Sequence, residues 1–360
     1  MKMVLGAVLA VGFATSAAAA QEAAYPQFVI GARLQTQFYA FDNDNQARTG
    51  SSSNFFLRRA RIQVNAKLRE NVSLVIQPSF EGGRATGVRL RDAYIDLRLT
   101  PASSRTAFTI RTGAEKKPFG RYELLSSNNL PSLERNAGRG LLPVASNNLF
   151  ETAGYIATDL GASVILAHKL AEGRHLTFQL GGYNGQGESI NDVNGSKSFG
   201  VQALADVTKK LMLGVALFSH DGIVALTPTV SDSSFRNQAV NLEVQWGKPG
   251  DQGLFVVADY MAGEDFTKDL HSMKGLSVVA AYHARTATAK RLFAVEPVVR
   301  FDWADPDGKV AANASTLISA GVNLYLTAKA QIRLMLETQN PEAVGGKTIT
   351  GLRTAMTMNF

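Results

Sequence analysis

Cysteine is absent from all 360 residues, so no disulfide can hold this fold together. Long apolar runs are scarce as well. Beyond residue 20 none approaches the ~20 residues that a membrane helix requires. The five histidines, His168, His175, His220, His271 and His283, fall on separate segments with no recognisable nucleophile motif beside them. A Ser–His hydrolase is therefore unsupported, and no catalytic residue is expected. GGYNGQG from Gly181 is not followed by a helical pattern, which argues against a nucleotide cradle. No metal ligand set and no cofactor are expected, and neither internal repeats nor low-complexity tracts are found.

What is present begins with the amino terminus. Lys2 supplies a positive charge, Met3 to Phe13 an apolar core, and Ala18-Ala19-Ala20 a small-residue cleavage site before Gln21. This pattern predicts a secretory signal peptide over residues 1–20, leaving residues 21–360 as the mature chain. An exported protein without disulfides needs another means of closure, and a hydrogen-bonded barrel in lipid provides one. The net charge of +7 could suggest nucleic acid, but export argues against it. An anionic solute or an anionic lipid surface is the expected partner.

From Arg59 the chain alternates strictly. Arg59, Arg61, Gln63, Asn65 and Lys67 share one face, and Ala60, Ile62, Val64, Ala66 and Leu68 the other. Period two is a β-strand, because successive side chains leave opposite faces. Similar dyads recur from near Phe28 to near Thr348, for example Val240, Leu242, Val244 and Trp246 against Asn241, Glu243 and Gln245. They predict sixteen strands, the sixth beginning near Glu151. Gly161 could mark either a bend in that strand or a turn between two. The apolar phase flips within Val88 to Leu99, which predicts a bulge near Arg91 and Asp92.

Connections alternate between tight turns, such as Arg69-Glu70 and Thr208 to Lys210, and longer loops rich in Gly, Asn, Asp and Ser. Such sorting belongs to transmembrane barrels rather than soluble sandwiches. The fold class expected is therefore all-β, a transmembrane antiparallel barrel of sixteen strands in a bacterial-type outer membrane. The last strand ends on Phe360, which resembles the terminal signal read by the barrel-assembly machinery.

The third long connection, residues 115–150, is too long for an ordinary loop and too apolar for a disordered one. Phe119, Tyr122, Leu130 and Leu133 should fold it inward against the wall, narrowing the pore. Inward-facing cations expected on the strands are Arg33, Arg59, Arg61, Lys67, Arg89, Arg91, Arg111, Arg300, Arg333 and Arg353. Rings of Arg and Lys select anions, and guanidinium forks suit phosphate oxygens. Glu81, Asp92, Asp96, Glu243, Asp259, Glu296 and Glu337 should face the same lumen and dilute that charge. Arg300 and Arg333 share their strands with Glu296 and Glu337 and could simply pair with them.

RRARIQVNAKL, LRDAYIDLRL, TGAEKKPFGRYELLSSNNLPSLERN and GGYNG, taken in order, resemble the phosphate-selective porin O and P family, with KPFGRYE…LERN the specific element. The resemblance implies a trimeric sixteen-stranded barrel, a third loop folded into the channel, and passive diffusion of phosphate or polyphosphate-like anions. It implies anion-guiding roles for Arg59 and Arg61 on the second strand and for Lys116, Lys117, Arg121 and Arg135 on the loop. Arg121 and Arg135 would face Arg59 and Arg61 across the path. The competing readings are a general or sugar-specific diffusion porin and, from another class, an enzymatic outer-membrane barrel.

Overall fold

The computed structural model describes residues 25–43, 51–81, 88–136, 145–171, 173–185, 187, 192, 195–224, 233–265, 270–286, 292–342 and 346–360. The predicted signal peptide and residues 137–144 of the third long connection lie outside the described residues. Sixteen strands follow in chain order: β1 (Gln27–Asp42), β2 (Ser51–Arg69), β3 (Val72–Ser79), β4 (Arg89–Arg98), β5 (Thr106–Lys116), β6 (Thr158–Ala171), β7 (Arg174–Tyr183) and β8 (Ser198–Asp206). The second half comprises β9 (Leu211–Val224), β10 (Ser233–Trp246), β11 (Gly253–Glu264), β12 (Ser272–Arg285), β13 (Ala294–Asp305), β14 (Ser315–Tyr325), β15 (Ala330–Pro341) and β16 (Ile349–Asn359). Each strand pairs antiparallel with its chain neighbour, and β1 pairs with β16, so the sheet closes. Phe360 completes the seam, exchanging backbone hydrogen bonds with Ala32 at 2.8 and 3.0 Å. Closure leaves no strand edge unpaired, as a sheet in lipid requires.

Alternation sets the two faces. On β10 Leu242 is 52 % exposed on the outside, while Asn241 beside it is 0 % exposed in the lumen. Exposed Ile30, Leu34, Ile62, Val299 and Ile318 continue the outer apolar face on other strands.

The sixth strand differs from expectation. Residues from Ser146 to Thr152 form a short helix, α2, and β6 starts only at Thr158. Gly161 is neither bend nor turn but a pairing position between Gly113 and Tyr183. A Cβ there would sit 2.6 Å from the Tyr183 ring, so glycine leaves room for that inward ring.

Two bulges bear on the site. On β4, Gln77 pairs with Asp92 and Pro78 with Leu90, leaving Arg91 as the extra residue at the predicted position. On β2, Gln35 pairs with Arg59 and Thr36 with Leu57, so Arg58 is extra. A bulge sets two residues opposite one and re-aims a side chain, and here Arg58 joins Arg59 in the lumen.

The turn end of the barrel carries a cation at every turn. Lys67 and Arg69 precede the first, Arg98 and Arg105 flank the second, Lys169 and Arg174 the third, and Lys209 and Lys210 lie in the fourth. Lys248, Arg285 and Lys329 mark the remaining three. Among the described residues these eleven cations face three acids at the same rim, Glu70, Asp206 and Asp251.

Candidate functional site

The connection between β5 and β6 leaves the wall and crosses the lumen. Gly120, at φ +82°, turns the chain into a one-turn helix, α1 (Arg121–Leu124). Asp259 on β11 receives the first free amides of that turn, from Arg121 at 2.7 Å and Tyr122 at 2.8 Å. The loop's apolar residues then bury in two groups. Phe119, Phe150 and Tyr155 gather with Phe218 of β9, with ring centroids 5.7–6.3 Å apart. Tyr122, Leu125, Leu130 and Leu133 pack with Phe255, Val257, Val279, Val298 and Met335. The lumen wall of β11–β15 is thus partly apolar because the loop covers it.

Polar contacts pin the same loop from two sides. Arg333, fully buried on β15, donates to the carbonyls of Leu130, Pro131 and Ser132, and Asn323 donates to Pro131 at 2.8 Å. Arg300 donates to the carbonyls of Glu134 and Arg135 at 2.5 and 2.6 Å and to Asp302. The alternative pairings along these strands, Arg300 with Glu296 and Arg333 with Glu337, do not form. Glu337 instead takes Arg353, and Glu296 takes His283, Asn323 and Tyr325. From the opposite wall, Arg58 grips the Glu134 carboxylate with two bonds of 2.8 Å, Arg59 reaches it at 2.9 Å, and Gln37 donates to it at 2.5 Å. Burial alone would push the Glu134 carboxyl up, but Arg59 and Arg58 outweigh it and hold it well below the usual carboxylate range. Buried Lys117 donates to Gly154 and lies 3.9 Å from Asp159. Desolvation pulls its ammonium below the ordinary lysine range despite that partner.

Between the loop and the β1–β5 wall remains a cavity of about 600 Å³. Eight basic side chains line it, Arg33, Arg58, Arg59, Arg61, Arg91, Arg111, Lys116 and Arg135, against four acidic ones, Asp92, Glu123, Glu134 and Glu151. The cations differ in what they already hold. Arg61 pairs with Glu81 and reaches Ser127 at 3.2 Å. Burial opposes ionisation of Glu81, yet Arg61, with Arg91 and Arg58, lowers its carboxyl below the ordinary value. Arg111 holds Asp96 with bonds of 2.7 and 2.8 Å and lies 3.8 Å from the Tyr94 ring centre. Lys116 donates to the carbonyls of Glu123 and Leu125, and Arg135 lies 3.4 Å from Glu123. Among the described residues Arg33 donates only to two amide oxygens, Asn128 at 2.8 Å and Gln35 at 3.5 Å, and its Nε has no partner.

The sequence-derived residues therefore divide. Arg33, Arg59, Arg61, Arg111, Lys116 and Arg135 meet in one cavity. Arg121 instead reaches Gln245 on β10 at 2.7 Å, Lys117 fixes the loop base, and Arg353 is buried on Glu337. Arg89 is exposed on β4, opposite Ser79 and outside the cavity lining. Alternation concealed Arg58, which only the bulge turns inward. KPFGRYE…LERN contains Glu134, but nothing in the string says which arginines it meets.

A family model described as phosphate-selective porin O and P matches residues 28–223, more than half the chain. No curated protein matches. Among solved structures, the anion-selective porin from Comamonas acidovorans aligns over 93 % of this chain and 100 % of its own, with a TM-score of 0.65 and 13 % identity. Salmonella typhi OmpF aligns over 93 % and 98 %, with a TM-score of 0.61 and 12 % identity. The trimer form of Vibrio cholerae OmpT, an outer membrane protein, aligns over 93 % and 99 %, with a TM-score of 0.56 and 9 % identity. At these identities the likeness is one of fold.

Proposed function

Because this chain belongs to the phosphate-selective porin O and P family, we propose that its channel passes small anions in preference to cations, phosphate-like oxyanions among them. The protein is an outer-membrane porin, a channel rather than an enzyme. The observation that carries the anion reading is the cavity beside the inward loop, with its twofold excess of basic over acidic lining residues. Fixed cations in a narrow, partly desolvated passage lower the barrier for anions and raise it for cations. Conduction also needs weak sites in series, because one tight site would trap the solute.

In this reading Arg33 and Arg59 with Arg61 form one rail, and Lys116 with Arg135 the facing one. Arg111 extends the first rail, with its charge shared with Asp96. Arg121, Lys117 and Arg353 hold the loop and wall in place. The structural neighbour from Comamonas is itself anion-selective, which supports the same choice. A trimer is the assembly proposed, since a neighbour of this fold occurs in a trimer form. The proposal keeps residues 1–20 as a cleaved export signal and Phe360 as the terminal recognition residue for barrel assembly.

A general diffusion pore is the competing reading, favoured by the carboxylates that already occupy Arg61, Arg111 and Arg59. Single-channel chloride current separates the two. Millimolar phosphate should reduce the current while a neutral sugar at equal concentration leaves it unchanged. Equal insensitivity to both solutes would favour the general pore.

A further inference from the structure

The chain's positive balance is concentrated away from the pore. None of the eleven turn-end cations lines the cavity, so anion passage leaves them unexplained. Several make internal contacts with neutral groups, Lys67 over the Tyr25 ring and Arg285 over Phe293 among them. Arg98, Arg105 and Arg174 donate to turn carbonyls rather than to carboxylates. No carboxylate among the described residues pairs with Lys210, Lys248 or Lys329.

We propose that this rim binds the headgroups of anionic phospholipids in the leaflet that the turns meet. Three features select that partner. The cations occur at every turn, so they form a belt around the circumference rather than a patch on one side. Exposed apolar residues in or beside the first four turns, Leu68, Leu99, Leu170 and Val207, mark the end of the acyl region, and Lys209, Lys210, Lys248 and Lys329 lie in turns at that same rim. Long basic side chains at that level lay their stems on the acyl boundary and place their charge at the phosphates. A polymer or a single solute would instead need its contacts gathered in one place. The inference rests on the outer-membrane setting and is independent of which ion the pore prefers.

The test uses the full protein in vesicles of equal phosphatidylglycerol and phosphatidylcholine, followed by mild extraction and mass-spectrometric counting of retained lipid. Phosphatidylglycerol should be retained about threefold over phosphatidylcholine, and 1 M KCl should abolish the excess by screening. The combined Lys209→Gln, Lys210→Gln, Lys248→Gln and Lys329→Gln variant should retain the two lipids nearly equally while still migrating as a heat-modifiable barrel. No enrichment in the unaltered protein, or unchanged enrichment in a folded variant, would overturn the proposal. So would loss of the enrichment on adding soluble glycerol phosphate, which would assign the rim to free phosphate. Rim-dependent sedimentation with purified cell-wall polymer, without lipid enrichment, would assign it to that polymer.

Discussion

Arg58 binds Glu134 through both prongs of its guanidinium, each at 2.8 Å. That contact ties the inward loop to the strand wall opposite the one that buries its apolar side. It depends on a bulge, because strict alternation would turn Arg58 toward lipid.

Replacing Glu134 with Gln should free the loop from that wall. Breaking one partner of a buried pair costs roughly 3–5 kcal/mol, here spent on loop anchoring while the closed sheet persists. Single-channel traces should become noisier. Anion preference should rise, because the cavity loses one negative charge. A quiet channel of unchanged selectivity would show that Glu134 anchors nothing.

Acid should reproduce this effect late. The Glu134 carboxyl is depressed in the folded protein, so its contact is complete above the ordinary glutamate value of 4.5 and is lost as pH falls through a folded value well below it. Channel noise should stay constant from pH 8 to 5 and rise only in strong acid. A rise centred near pH 6 would contradict the assignment.

Arg333→Met should loosen the loop's other side. Three carbonyls would lose a charged donor, at about 1.5–3 kcal/mol for such a bond. Protease cutting within residues 126–136 of the reconstituted protein should accelerate, with the barrel still heat-modifiable. Unchanged cutting would mean that packing alone holds the segment.

Arg33→Gln should weaken anion preference more than the double replacement Arg111→Gln with Asp96→Asn. Among the described residues Arg33 hydrogen-bonds only to amides, whereas Arg111 is bound to Asp96. Losing an uncompensated charge a few ångströms from the ion path should change the permeability ratio by roughly two- to fivefold. Arg111→Gln alone would bare the Asp96 carboxylate, so the comparison removes both partners, which leaves the local charge balance unchanged and should alter the ratio less. Equal effects would remove the distinction drawn between the two residues.

Strand count and facing were legible because period two is local. Leu242 and Asn241 announce their sides within two residues, and the bulge at Arg91 showed as a phase change. The sixth strand misled because Ala153, Tyr155 and Ile156, expected within it, serve the loop's own core instead. Loop anchoring was not legible at all. Arg333 meets carbonyls some two hundred residues earlier in the chain, and a carbonyl leaves no mark in a sequence. Arg58 was hidden for the opposite reason, since its neighbours alternated too well to suggest an insertion.

The central claim is that the cavity beside the inward loop prefers anions, and the zero-current potential across a planar bilayer under a potassium chloride gradient tests it most directly. The account predicts a potential of the sign that reports chloride as more permeant than potassium, diminished in Arg33→Gln. A potential of the opposite sign in the unaltered protein would contradict it.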